Sequence, residues 1–130
     1  MLVDTAVWID FLRAAGTPGA RRLRALLEEG ELLCCPVIVQ ELLQGAAGPT
    51  QLATLREHLY PLPQLLPSLD TYAQAGALYA RCRWRGVTIR SPHDCLIARL
   101  AMEHRTPLLH DDVDFERIAA IEPSLVLVRS

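Results

Sequence analysis

The chain opens Met1-Leu2-Val3-Asp4-Thr5-Ala6-Val7-Trp8-Ile9-Asp10-Phe11-Leu12. A very short apolar run, then Asp4-Thr5, then apolar residues at helical spacing (Val7, Trp8, Phe11, Leu12) read as a buried strand, a turn and a helix. In an open parallel sheet, polar residues just past a strand's carboxyl end line the crevice where ligands bind. Asp4 holds that place. Whether the fold brings other carboxylates to it decides what chemistry is available.

The same alternation runs through the chain. Leu32-Leu33-Cys34-Cys35 is a continuous apolar run suited to a strand buried on both faces. Pro36 then opens a helix, Val37 to Gln44, that Gly45 ends. Pro107-Leu108-Leu109-His110 predicts another short buried strand, and Asp111-Asp112-Val113-Asp114-Phe115 opens a brief helix with Phe115, Ile118 and Ala119 inward. Ser124 to Val128 closes as a strand, and Gln64-Leu65-Leu66, bracketed by Pro61, Pro63 and Pro67, suits an edge strand.

Between these lie helices. Thr17 caps one that starts at Pro18 and stops at Gly30, with Ala20, Leu23, Leu26 and Leu27 as its stripe. Another runs from about Gln51 to Leu59, burying Leu52, Leu55 and Leu59. A long Ala-rich helix runs from Ser68 or Asp70 to about Arg85, with Leu69, Ala73, Ala77, Ala80 and Trp84 as its stripe. Ser91-Pro92 is a strong helix start, and that helix continues to about His104. Strands alternating with helices predict an α/β sandwich with a mainly parallel sheet of four to five strands, folded as one domain over 1–130.

Composition narrows the function. Hydrophobic residues make up 51% of the chain and charged ones 22%, as expected of a folded domain rather than a disordered one. No apolar run approaches a membrane span, and no secretory signal pattern opens the chain. Cys34, Cys35, Cys82 and Cys95 form no C-x-x-C pair or zinc spacing, so they read as reduced, buried residues of a cytoplasmic protein. All 13 basic residues are Arg. The absence of Lys removes every mechanism that needs a catalytic or phosphate-binding lysine, the P-loop included.

Carboxylates stand at four strand ends or helix starts: Asp4, Glu41, Asp94 and the Asp111/Asp112/Asp114 group. Each has an ordinary reading alone. Asp4 and Asp111 or Asp112 suit helix caps, Asp94 sits three residues after Ser91 as in a capping box, and Asp114 complements a helix dipole. Glu41 is harder to dismiss, because it shares a helix face with Val37 and Ile38. Together, parallel strands would bring these acids to one sheet edge, where they repel one another unless a cation neutralises them. Oxygen-only ligands suit a hard ion, Mg²⁺ or Mn²⁺, rather than Zn²⁺. Such a centre activates water against a phosphodiester.

Asp4-Thr5 with Trp8-Ile9-Asp10, Glu41 within Val37 to Leu42, Pro92-His93-Asp94 opening a helix, and Leu108 to Phe115 together resemble the PIN domain, most closely VapC-type ribonuclease toxins of VapBC toxin–antitoxin pairs. The resemblance spans the whole chain. It implies a three-layer α/β/α sandwich, one or two Mg²⁺ or Mn²⁺ ions, RNA hydrolysis, a homodimer and a VapB-type antitoxin partner. By position, Asp4, Glu41, Asp94 and Asp112 match the family's acidic quartet, Asp114 a further acid acting through metal or water, and Thr5 a small polar neighbour of the first Asp. His110 and Asp111 stand where the family often has Thr or Ser, then Asn.

His93 and His110 read as orienting or packing residues. Arg81, Arg83, Arg85 and Arg90 with Trp84 suit either RNA contact or a solvated helix end. A receiver domain or a haloacid-dehalogenase-like phosphatase shares the architecture, but both use a Lys that this chain lacks, and the latter wants an acid where Ala6 stands. A housekeeping PIN nuclease, or a metal-free binding module whose acids are all caps, completes the alternatives.

Overall fold

The structure is a computed structural model that describes residues 1–129. Its elements in chain order are β1 (Leu2–Val3), α1 (Thr5–Leu12), α2 (Pro18–Glu29), α3 (Pro36–Gln44), α4 (Pro49–Leu59), α5 (Leu69–Trp84), α6 (Pro92–Glu103), β2 (Leu108–His110), α7 (Val113–Ile121) and β3 (Leu127–Arg129). The three strands form one parallel sheet in the order β1-β2-β3, with Val3 opposite Leu109 and Leu109 opposite Val128.

The expected fourth and fifth strands are reduced to single bridges. Leu33 pairs with Leu2 on the free side of β1, and Cys34 pairs with Gln64 beyond it, both parallel. Five extended segments therefore lie side by side, but only three are strands among the described residues. Proline explains the shortfall. Pro36 ends the Leu32–Cys35 run by starting α3, and Pro63 and Pro67 remove ladder donors around Gln64.

Side chains alternate faces along a strand, yet Leu2, Val3, Leu108, Leu109 and His110 are all buried. Helices must therefore cover both faces of the sheet, as a parallel arrangement requires. The most deeply set helix is α6, which buries Asp94, Cys95, Leu96, Ile97, Ala98, Leu100 and Ala101 and packs against α3, α5 and α7. Each fully buried aliphatic side chain there contributes about 1.5–3 kcal/mol. Asp94 is thus carried on a rigid part of the molecule.

Local signals explain most helix ends. The Thr17 hydroxyl accepts from the Ala20 N–H at 3.2 Å, and Gly30 closes α2 in the left-handed conformation at φ 69°. Helix α5 is where periodicity misleads: it buries Thr71, Ala75, Leu78 and Cys82, and leaves Leu69 and Trp84 87% and 74% exposed. Alanine fits either face, so a stripe of it carries little contrast. The inward face is set instead by Ser68 and Thr71, whose reciprocal capping box turns the first turn, and by the Thr71 hydroxyl donating to Glu103 at 2.9 Å. Leu27 of α2 and Leu52 of α4 are likewise exposed rather than inward. All four cysteines are buried and unpaired, and no described helix is long and apolar enough to cross a membrane.

Candidate active site

Because β1 and β2 are parallel, their carboxyl ends share one edge. Asp4 follows β1, tied to β2 by its N–H donating to the Leu109 carbonyl at 2.9 Å. Asp112 follows β2 as the N-cap of α7, and Asp114 stands in that helix's first turn. Asp94 sits in the first turn of α6. Glu41, from the middle of α3, receives a hydrogen bond from the Thr5 hydroxyl at 2.8 Å. One carboxylate oxygen each from Asp94, Asp112 and Asp114 lie within 4.8 Å of one another. The charges of Glu41 and Asp112 reach Asp4, and those of Asp4, Glu41, Asp112 and Asp114 reach Asp94. All five predicted acids and Thr5 therefore meet at one edge.

The capping readings can be judged one by one. Asp4 occupies the N-cap position of α1 without a side-chain capping bond. Ser91 caps α6 by accepting from the His93 N–H, and Asp94 returns no capping-box bond. Only Asp112 caps, its Oδ1 accepting from the Asp114 N–H at 2.9 Å. Asp111 is exposed.

Electrostatics divide the cluster. Burial, then the charge of neighbouring acids, pushes the Asp94 carboxyl up to about 8. Burial lifts Asp4 to about 6, against the partial offset of the Thr5 and Ala6 N–H groups. Asp4 and Asp94 are 5% and 7% exposed, and among the described residues no ion pair reaches either. Asp114 is the opposite case. Burial would raise it, but the Arg90 N–H and Nε, each 3.1 Å from Oδ2, and Arg117 Nη1, 2.9 Å from Oδ1, hold it below the usual carboxylate range. Arg90 also donates through Nη2 to Asp112 Oδ1 at 2.8 Å.

The PIN domain family model matches residues 1–121 of the chain. The chain belongs to the PIN-domain family. It is 38% identical to Ribonuclease VapC11 of Mycobacterium tuberculosis over 125 residues, 93% of this chain and 92% of that protein. The likeness to VapC ribonuclease Mb1587 of Mycobacterium bovis is of the same extent, 38% over 125 residues. Among solved structures, VapBC2 from Rickettsia felis bound to a promoter DNA fragment superposes with a TM-score of 0.75 at 19% identity, over 99% of this chain and 97% of that one. VapBC from Salmonella typhimurium bound to DNA matches with a TM-score of 0.75 at 20% identity, over 98% and 96%. At that identity these two speak for the fold.

In this PIN domain the histidines play supporting parts. His110 is buried against Phe115, with ring centroids 5.6 Å apart, and its Nδ1 accepts from the Asp112 N–H at 3.2 Å. It thus helps to fix the turn that carries Asp112. His93 Nδ1 lies 3.7 Å from Glu41 Oε2, at the rim. The arginine cluster is dispersed: Arg81 pairs with Glu122, Arg83 and Arg85 are exposed beside Trp84, and Arg90 turns to the acids. Sequence reasoning missed Arg117 and the task of Arg90. Arg117 was legible, three residues after Asp114 on one helix face. Arg90 was not, because 24 residues separate it from Asp114.

Proposed function

We propose that this PIN domain is a Mg²⁺- or Mn²⁺-dependent endoribonuclease and the toxin of a VapBC-type pair. The observation that carries the reading is Asp94, a buried carboxylate ringed by four others and paired with no cation among the described residues. A fold keeps so unfavourable an arrangement where a cation compensates it. The donor set fits a hard divalent ion, being carboxylate oxygen throughout, with the nearest histidine nitrogens engaged elsewhere or at the rim.

Asp4, Glu41, Asp94 and Asp112 would hold the ion, with Asp114 behind them. Once bound, the ion supplies an activated water and balances charge developing on the phosphodiester. The chain's own residues prepare for this. The Thr5 hydroxyl fixes one oxygen of Glu41, and the Asp114 N–H and Arg90 engage only Oδ1 of Asp112, leaving Oδ2 without a donor among the described residues. Similarity to proteins named as VapC ribonucleases supports RNA as the substrate, and the VapBC neighbours support an antitoxin partner. A homodimer, a cytoplasmic location and a single domain over 1–130 belong to the same proposal.

The test is cleavage of structured RNA by antitoxin-free protein in Mn²⁺ or Mg²⁺ against EDTA, with Asp94→Asn run in parallel. Discrete fragments that need both the ion and Asp94 are expected. Equal cleavage by wild type and variant, or in EDTA, would expose a contaminating nuclease and sink the assignment.

A further inference from the structure

The centre in two-metal nucleases holds its ions about 4 Å apart and shares carboxylates between them. A second ion here, sharing Asp112 with the first, would have to draw on Asp114 as well. That place is taken. Asp114 is fully buried, and each of its oxygens already accepts from a guanidinium: Oδ2 from Arg90 Nε at 3.1 Å, Oδ1 from Arg117 Nη1 at 2.9 Å. The Arg90 backbone N–H adds a third bond at 3.1 Å, which anchors the residue as well as its side chain. Its Nη2 then bridges to Asp112 at 2.8 Å.

Resting on the ribonuclease reading above, we propose that this is a one-ion centre in which the Arg90 guanidinium occupies the second-cation position. An arginine brings geometry as well as charge to that role. Its planar fork spans two carboxylates at once, and its charge persists at every working pH. A divalent ion entering beside it would meet a like charge within a few ångströms and would have to displace a guanidinium that bridges a buried acid and its neighbour. The Arg90 side chain is nevertheless 69% exposed, so the fixed positive charge stands at the open side of the cleft. Arg90 is in these terms a positioning residue: it sets Asp112 and Asp114 and excludes a second ion.

The test is the number of Mn²⁺ ions bound per chain, by isothermal titration and by electron paramagnetic resonance, for wild type, Arg90→Gln and Arg90→Lys. Wild type should bind one equivalent with the spectrum of an isolated ion. Arg90→Gln should take up a second equivalent with exchange coupling between the two, while Arg90→Lys, which keeps the charge, should stay at one. Two coupled ions in the wild type would overturn the proposal and leave the ribonuclease reading standing, provided RNA is still cut. One equivalent in Arg90→Gln with an unaltered Mn²⁺ affinity would overturn it equally. If Arg90→Gln does not fold, the wild-type stoichiometry decides alone. No ion bound by any form would remove both readings.

Discussion

The two ends of the acidic cluster are built from the same residue type and behave oppositely. Asp114 is more deeply buried than Asp94, yet it is held ionised below the usual carboxylate range, while Asp94 is pushed up to about 8. The difference is guanidinium. Arg90 and Arg117 reach Asp114, and no ion pair among the described residues reaches Asp94 or Asp4. Burial alone therefore does not mark a functional carboxylate. A buried acid with its counter-charge in place fits a scaffold role, and a buried acid without one fits the proposed cation site.

That contrast can be broken most sharply by exchanging each acid for its amide. Asp94→Asn should lower ion-dependent RNA cleavage by at least roughly a hundredfold, since a ligand to the ion is lost without a change of volume. The same variant should hold or raise the melting temperature in EDTA, because a buried group that ionises only at a cost is replaced by a neutral amide. Asp114→Asn should do the reverse in EDTA, destabilising the metal-free protein by about 2 kcal/mol as bonds to two guanidinium groups are weakened. Denaturant unfolding of both variants checks the pair, and equal destabilisation by the two would erase the distinction.

A smaller effect is expected of Thr5→Val. Losing the hydroxyl that orients Glu41 should weaken Mn²⁺ binding about tenfold and leave the fold intact. An unchanged affinity by titration would remove Thr5 from the site.

The same contrast predicts a pH dependence of stability in EDTA. The carboxyls of Asp94 and Asp4 ionise near 3.8 when unfolded and near 8 and 6 when folded. Between those values the folded state holds protons that the unfolded state has released, so stability falls as pH rises from about 4 to about 8. Saturating Mn²⁺ should flatten or reverse the slope, because the ion binds the ionised form. A melting temperature that rises with pH across this window in EDTA would contradict the uncompensated end of the cluster.

Much of this was legible in the sequence. The short apolar runs at Leu2–Val3 and Leu108–His110, each followed by an acid, gave both strands and the shared edge, because buried parallel strands need continuous apolar residues. That the acids converge was legible from their places at strand ends, at helix starts and on one inward helix face, while Thr5 entered only through the family resemblance. The Arg90 counter-charge was not, since its ion pair with Asp114 depends on how the loop before α6 meets α7, and no local pattern encodes that. The inward face of α5 was misread for a different reason: alanine and glycine leave the helix surface nearly uniform, and the deciding contact, Thr71 with Glu103, spans 32 residues. Strand count was overestimated where proline cut the ladder short.

The most direct measurement is a crystal structure of the antitoxin-free protein with Mn²⁺, read by anomalous scattering. The account predicts one peak at the unpaired end of the cluster, directly coordinated by a carboxylate oxygen of Asp94, with Arg90 still bonded to Asp114. A peak coordinated by Asp114 with Arg90 displaced, or no peak at all in saturating Mn²⁺, would contradict it.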